Sequence, residues 1–182
     1  MGLAIRWSRA ILALLLACGG FAFAQTPVVS APPQPADLFD FWVGDWDLSW
    51  ANEDDTTGRG RNRIDKILDG TVVEERFEEL VPAGATALKG RSLTVRDKKS
   101  GIWRQSWADN QGGFFTLAAH VDGSRRILTT EVTRTGDKAT VQRMVFHSVS
   151  ADALTWDWEG SADGGATWKR LWRIDYKRRH SP

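Results

Sequence analysis

A chain of 182 residues, 42% hydrophobic and 26% charged, has the size and composition of one folded domain and not two. Its formal net charge of +1 gives no overall pull toward nucleic acid or anionic lipid, and the basic stretch Lys177-Arg178-Arg179-His180 reads as a solvated terminus. Ten Trp against one Tyr predict a core rich in large aromatic side chains.

Residues 1–24 read as an export signal rather than as part of the fold. Arg6 and Arg9 precede an apolar run over 10–17, and Ala22-Phe23-Ala24 supplies the small-x-small pattern for cleavage before Gln25. The run is too short for a permanent membrane span. The expected location is periplasmic or secreted. The alternative is a lipoprotein, because Leu15-Leu16-Ala17-Cys18-Gly19 has the form of a lipobox with Cys18 as the acylated residue. Cleavage at Ala24 leaves 22 basic and 23 acidic residues and removes the sole cysteine. Disulfides, thiol catalysis and cysteine-bound metals are then excluded. Residues 25–36, with four Pro between 27 and 35, read as an extended linker. The domain is expected over 37–178, with 179–182 as a tail.

Within the domain the chain alternates in short runs broken by turn residues, with no internal repeat of propeller or solenoid length. Asp37 caps a helical turn over 37–43. Strands are predicted over 45–51, 59–68, 71–80, 88–97, 102–109, 113–121, 126–134, 139–149, 154–160 and 167–177. Asp69-Gly70, Gln111-Gly112, Asp122-Gly123, Gly136-Asp137 and Asp163-Gly164-Gly165 are hairpin turns, since Gly, Asn and Asp tolerate positive φ. The fold class is all-β: an antiparallel up-and-down barrel of about ten strands, closed so that no edge is left unpaired.

Alternation assigns the inward faces. They are Trp46, Leu48 and Trp50; Val73, Glu75 and Phe77; Leu93 and Val95; Trp103, Gln105 and Trp107; and Phe115, Leu117, Ala119 and Val121. The run over 139–149 offers Val141, Arg143, Val145 and His147. Leu154, Trp156 and Trp158 follow, then Trp168, Arg170, Trp172, Ile174 and Tyr176. The run through Thr129-Thr130-Glu131 shows no clear face.

Phe39-Asp40-Phe41-Trp42-Val43-Gly44-Asp45-Trp46 resembles the opening of lipocalin-type (calycin) barrels, a helical turn followed by Gly-x-Trp. The resemblance implies that Trp46 plugs one end under a basic residue of a late strand, Arg170 or Arg173. More closely, the chain resembles a group of exported, lipocalin-like bacterial proteins with a Phe-x-Phe-Trp-x-Gly-x-Trp start and a late Ser-x-Asp-Gly-Gly-x-Thr-Trp segment, a group without a settled activity. That segment, Ser161 to Trp168, is also similar to the Asp-box of sialidase-type propellers. A single copy points to a self-stabilised hairpin built on Ser161, Asp163, Gly165, Thr167 and Trp168.

His120, His147 and His180 are far apart in sequence, and neither a Gly-x-Ser-x-Gly elbow, a phosphate loop nor a dinucleotide fingerprint occurs. No metal or cofactor is expected. Asp54-Asp55, Glu74-Glu75 and Glu78-Glu79 are acidic pairs that alternation sends to opposite faces, for solvent or a Ca²⁺ ion. The informative residues are the polar ones on apolar stripes: Glu75, Gln105, Arg143, His147 and Arg170. One reading is a structural network, with Arg170 over Trp46 and Glu75 paired to Arg143. A second is a pocket for a small hydrophobic or amphipathic ligand, walled by Trp103, Trp107, Phe115, Trp156, Trp158 and Trp172, with Arg143 or Arg170 holding an acidic or polar head group. A third is a barrel enzyme using Glu75 or His147 as acid or base. A ligand-free envelope protein that binds a partner is the fourth.

Overall fold

The computed structural model describes residues 32–180. The proposed signal sequence, the lipobox and the linker up to residue 31 lie outside the described residues. The helical turn is a shorter 3-10 turn, Asp40–Trp42, with Phe39 and not Asp37 at its N-cap position and no side-chain cap, and it leads into β1 (Gly44–Ala51). There follow β2 (Thr57–Ile67), β3 (Val72–Glu79), β4 (Lys89–Arg96), β5 (Trp103–Asp109) and β6 (Phe114–Asp122). The chain continues through β7 (Arg125–Thr130), β8 (Thr133–Thr135), β9 (Lys138–His147), β10 (Ala153–Ser161) and β11 (Lys169–Arg178). Neighbours pair antiparallel in the order β10-β11-β1-β2-β3-β4-β5-β6-β7-β9, and pairing of β10 with β9 closes the ring. The result is the expected ten-strand barrel. The run expected over 126–134 divides into β7 in the wall and β8, a flap paired only with β9.

One end is closed by aromatic packing. Phe39, Trp42, Trp46 and Phe146 are buried there, with Trp42 against Phe146 at 5.0 Å between ring centroids. The Trp46 indole donates to the Trp42 carbonyl at 2.8 Å. The cation over Trp46 is Arg178, 4.0 Å from the ring centroid, and not Arg170 or Arg173. The reason is length. β11 runs toward the closed end and places Arg178 directly opposite Trp46, whereas Arg170 is eight residues, about 27 Å, back along the strand. The Arg178 guanidinium also donates to the carbonyls of Ala151, Val43 and Phe41 at 2.6, 2.7 and 3.1 Å. Gly44, at φ +133°, leaves the space it needs, because a Cβ there would collide with the guanidinium.

The last linker residues are part of this end rather than a spacer. Gln34 is buried and donates to the Ala119 carbonyl at 2.5 Å, while its own side-chain oxygen accepts from the Trp103 amide at 2.9 Å. Closing the barrel base leaves backbone groups at the strand ends, and the Gln34 amide satisfies two of them.

Three stripes differ from expectation. On β4, Leu93 and Val95 are exposed at 46% and 41%, and Ser92 and Thr94 face inward. On β9, Met144 and Phe146 belong to the interior cluster, so Arg143, Val145 and His147 face outward. Where β11 pairs with β10 the register slips between Trp158 and Glu159 of β10: Trp158 opposes Trp172 while Glu159 opposes Arg170. The extra residue, Leu171, reverses the alternation and turns Arg170 out to solvent. Val121 is also exposed, at the end of β6.

Candidate functional site

The hairpins place β1–β2, β3–β4, β5–β6 and β10–β11 connections at the end opposite Trp46. The open half of the barrel is lined by rings. Trp50 meets Trp172 edge-on at 5.2 Å, Trp156 meets Trp172 at 5.8 Å, and Phe115 meets Trp158 at 5.3 Å. Glycines on the neighbouring strands make room for them: a Cβ at Gly58 would overlap Trp50, and one at Gly90 would overlap Trp107. Between these rings lies a pocket of about 140 Å³. Its wall includes Phe77, Trp107, Phe115, Trp156, Trp158 and Trp172, completed by Leu88, Met144 and Ile174. A wider depression of about 800 Å³, bounded by Thr130, Gln142 and Leu171, shares Phe115 with it.

The pocket floor is polar. Glu75 and Tyr176 line it, and Glu75 is only 5% exposed. Its carboxylate accepts from Asn62 Nδ2 at 2.7 Å and from the Ser92 hydroxyl at 2.7 Å. Asn62 also donates to the Tyr176 hydroxyl at 3.1 Å. Behind Ser92, Gln105 donates to the hydroxyls of Ser92 and Thr94 at 3.1 and 3.0 Å. Asn62 Oδ1 and Gln105 Oε1 are buried without a hydrogen-bond partner. Burial pushes the Glu75 carboxyl up to about 7 against the opposing effect of its two hydrogen bonds. Burial, reinforced by the Glu75 charge, raises Tyr176 so that it stays neutral.

At the mouth, Asp109 accepts from the Trp107 indole at 2.9 Å and from the amides of Gly113 and Gln111 at 2.8 and 2.9 Å. Its partial burial opposes ionisation, but these donors win and hold it below the ordinary carboxylate range.

Of the expected wall residues, Trp107, Phe115, Trp156, Trp158 and Trp172 lie around this pocket, whereas Trp103 lies at the closed end. There it meets Phe39 at 5.5 Å and donates to the Pro35 carbonyl at 2.8 Å. Gln105 supports the floor without lining the pocket. The arginines and His147 are not in it. Arg143 pairs with Glu159 at 2.6 Å and stacks on Trp168 at 3.8 Å; Arg170 is exposed. His147 bonds Asp157 at 3.0 Å, and Asp157 is also held by Arg173 at 2.7 Å through each of two hydrogen bonds. Outer-face carboxylates pair with Arg143, Arg173 and His147, and Arg170 lies in solvent, so none has to enter the barrel. Glu75 is therefore not paired with Arg143.

Asn62, Ser92, Thr94 and Tyr176 complete the floor but were not among the sequence candidates. Tyr176 was legible as part of the inward stripe with Trp172 and Ile174; for the others the one trace is Gly58-x-Gly60-x-Asn62, where alternate glycines on one face announce a bulky neighbour and place Asn62 beyond it. Of the acidic pairs, Glu74-Glu75 divides as alternation requires, with Glu75 pointing in and Glu74 paired to Arg76 outside, whereas Asp54 and Asp55 are both exposed in the loop between β1 and β2. Among the described residues, no cluster of three or more His, Cys, Asp or Glu side chains is arranged to hold a metal ion.

The segment from Ser161 to Trp168 forms the expected hairpin. Ser161 donates to Asp163 at 2.7 Å and accepts from the Gly165 amide at 2.8 Å, while Asp163 accepts from the Thr167 amide at 2.9 Å. The donors hold the Asp163 carboxyl well below the usual range.

Fold and site together define a closed ten-strand antiparallel β-barrel with an aromatic pocket at its open end. No known family model matches the chain, and no curated protein matches it. Among solved structures it is similar to that of Rv2717c from M. tuberculosis, at 10% identity and a TM-score of 0.51, over 81% of this chain and 99% of that one. A de novo designed fluorescence-activating β-barrel is also similar, at 14% identity and a TM-score of 0.42, over 80% of this chain and 100% of the design. At these identities the likeness concerns the fold alone.

Proposed function

We propose that the protein is an exported binding barrel that takes a small, mainly apolar molecule into its aromatic pocket. The observation that carries this reading is the pocket itself, a ring-lined space with a hydrogen-bonding floor at one end. Its volume of about 140 Å³ suits one aromatic ring or a body of similar bulk. An engineered apolar cavity of about 150 Å³ takes up benzene. The polar end of the ligand meets Glu75 and Tyr176 rather than an arginine, which reverses the head-group chemistry expected from the stripes.

Tryptophan emission tests the proposal, because four indoles line the pocket. Titration with single-ring compounds should give a saturable change with one site per chain. Arg143→Met and Arg170→Met should leave it unaltered, since both side chains lie outside. Absence of saturation across the panel, or loss of binding in either arginine variant, would refute the reading. For export, protein recovered from its own host should begin at Gln25; a lipid-modified Cys18 would instead establish the lipoprotein route.

The alternative of a barrel enzyme narrows to Glu75, which reaches the pocket and is poised near neutral pH for proton transfer. His147 lies on the outer face.

A further inference from the structure

We infer that the molecule held in the pocket is a small organic cation, an ammonium compound with one ring-sized apolar body. This rests on the binding reading above and specifies its chemical class.

Of the residues lining the pocket, Glu75, Asp109 and Tyr176 can ionise, and none is basic. Charged groups face Glu75 from no other direction among its neighbours. β2 contributes Asn62, β4 Ser92, β9 Met144, β10 Trp156 and Trp158, and β11 the neutral Tyr176. Among the described residues Glu75 forms no ion pair, while Arg143, Arg173 and Arg76 on the outer face are engaged by Glu159, Asp157, Asp65 and Glu74. An ionised carboxylate in such surroundings is costly unless a counter-charge arrives. An anionic ligand would add a like charge in the same low-dielectric space, so it is disfavoured.

Trp107, Trp156, Trp158 and Trp172 surround the space above Glu75. A ring face attracts a cation through its quadrupole, most strongly for Trp and most effectively where water is excluded. An aromatic enclosure with a carboxylate at its floor and a second, Asp109, at its mouth is complementary to an ammonium group on all sides. The mouth carboxylate also attracts the cation on its way in.

Both Glu75 oxygens accept hydrogen bonds from neutral donors, Asn62 and the Ser92 hydroxyl, and neither donor carries a charge. The carboxylate adds a charge that no protein group neutralises.

The test compares benzylammonium, benzyl alcohol and benzoate, matched in bulk and differing in charge, by calorimetry and Trp emission on the full chain. At pH 8, where Glu75 is ionised, benzylammonium should bind at least tenfold more tightly than benzyl alcohol, and benzoate should not bind. At pH 5.5, where Glu75 carries a proton, that advantage should fall to less than threefold. Glu75→Gln should abolish the advantage at both pH values while benzyl alcohol still binds, and Asp109→Asn should reduce it by a smaller factor. Equal or tighter binding of benzyl alcohol at pH 8 would overturn the cation inference and leave the pocket reading standing. Binding of none of the three would refute both. If Glu75→Gln does not fold, the pH comparison on the wild-type protein decides.

Discussion

Glu75→Gln should stabilise the protein above neutral pH. The carboxyl titrates near 7 in the folded chain against an ordinary value of 4.5. The folded state therefore holds the proton more tightly than the unfolded one. The contribution of Glu75 to stability is fully present below about 4.5, declines as the pH rises toward 7, and is gone above it. At about 1.4 kcal/mol for each tenfold change in proton affinity, the gap amounts to about 3 kcal/mol. Gln keeps the shape, retains one of the two acceptors that Asn62 and Ser92 use, and carries no charge. With a urea slope of about 2 kcal/mol/M, the wild-type midpoint should lie about 1.5 M below that of the variant at pH 8, and the two should converge near pH 4.5. Comparing the two proteins at each pH cancels the acid sensitivity of the other carboxylates. Parallel pH profiles, or a variant less stable than wild type at pH 8, would refute the idea that an unneutralised carboxylate sits at the pocket floor.

Other consequences follow from the closed end and the hairpin. Trp46→Ala empties a fully buried indole site and should cost about 3–5 kcal/mol in denaturation; an unchanged midpoint would mean that Trp46 does not close the barrel. Arg178→Met keeps much of the aliphatic stem but leaves three carbonyls without their donor and Trp46 without its cation, and should cost about 1–3 kcal/mol. The same assay on Arg170→Met should show almost no change. Asp163→Ala should speed hydrogen exchange at the Thr167 amide without altering exchange in β3. Because its donors hold Asp163 in the ionised form, the wild-type hairpin should keep its protection at neutral pH and lose it as the pH falls through the depressed carboxyl value.

The strand series was legible because turns and alternation are local. Asp69-Gly70, Gly136-Asp137 and Asp163-Gly164-Gly165 mark reversals that any fold of this chain has to respect, and the backbone adopts positive φ at Asp69, Gly70, Gly136, Gly164 and Gly165. The Trp-bearing faces of β1, β5 and β10 were equally legible, since burying an indole outweighs every other preference on a strand. Most of the pocket wall follows from those faces.

Where apolar side chains occur on both faces of a strand, or the interior itself is polar, alternation names two faces without saying which is inside. On β4 the apolar Leu93 and Val95 were the natural choice, yet Ser92 and Thr94 face in because the barrel carries a hydrogen-bonded layer around Glu75. On β9, Val141 and Val145 compete with Met144 and Phe146, and pairing with β7 and β10 decides between them. On β11 a single added residue, Leu171, reverses the parity and sends Arg170 outside. The sequence by itself determined the order of the ten wall strands, the hairpin at Ser161 and most of the aromatic wall, all of which arise from neighbours along the chain. Only the tertiary structure decided that the pocket ends on an unpaired carboxylate rather than on an arginine, because a side chain's partner across a barrel is set by register, and one residue of slip exchanges inside for outside.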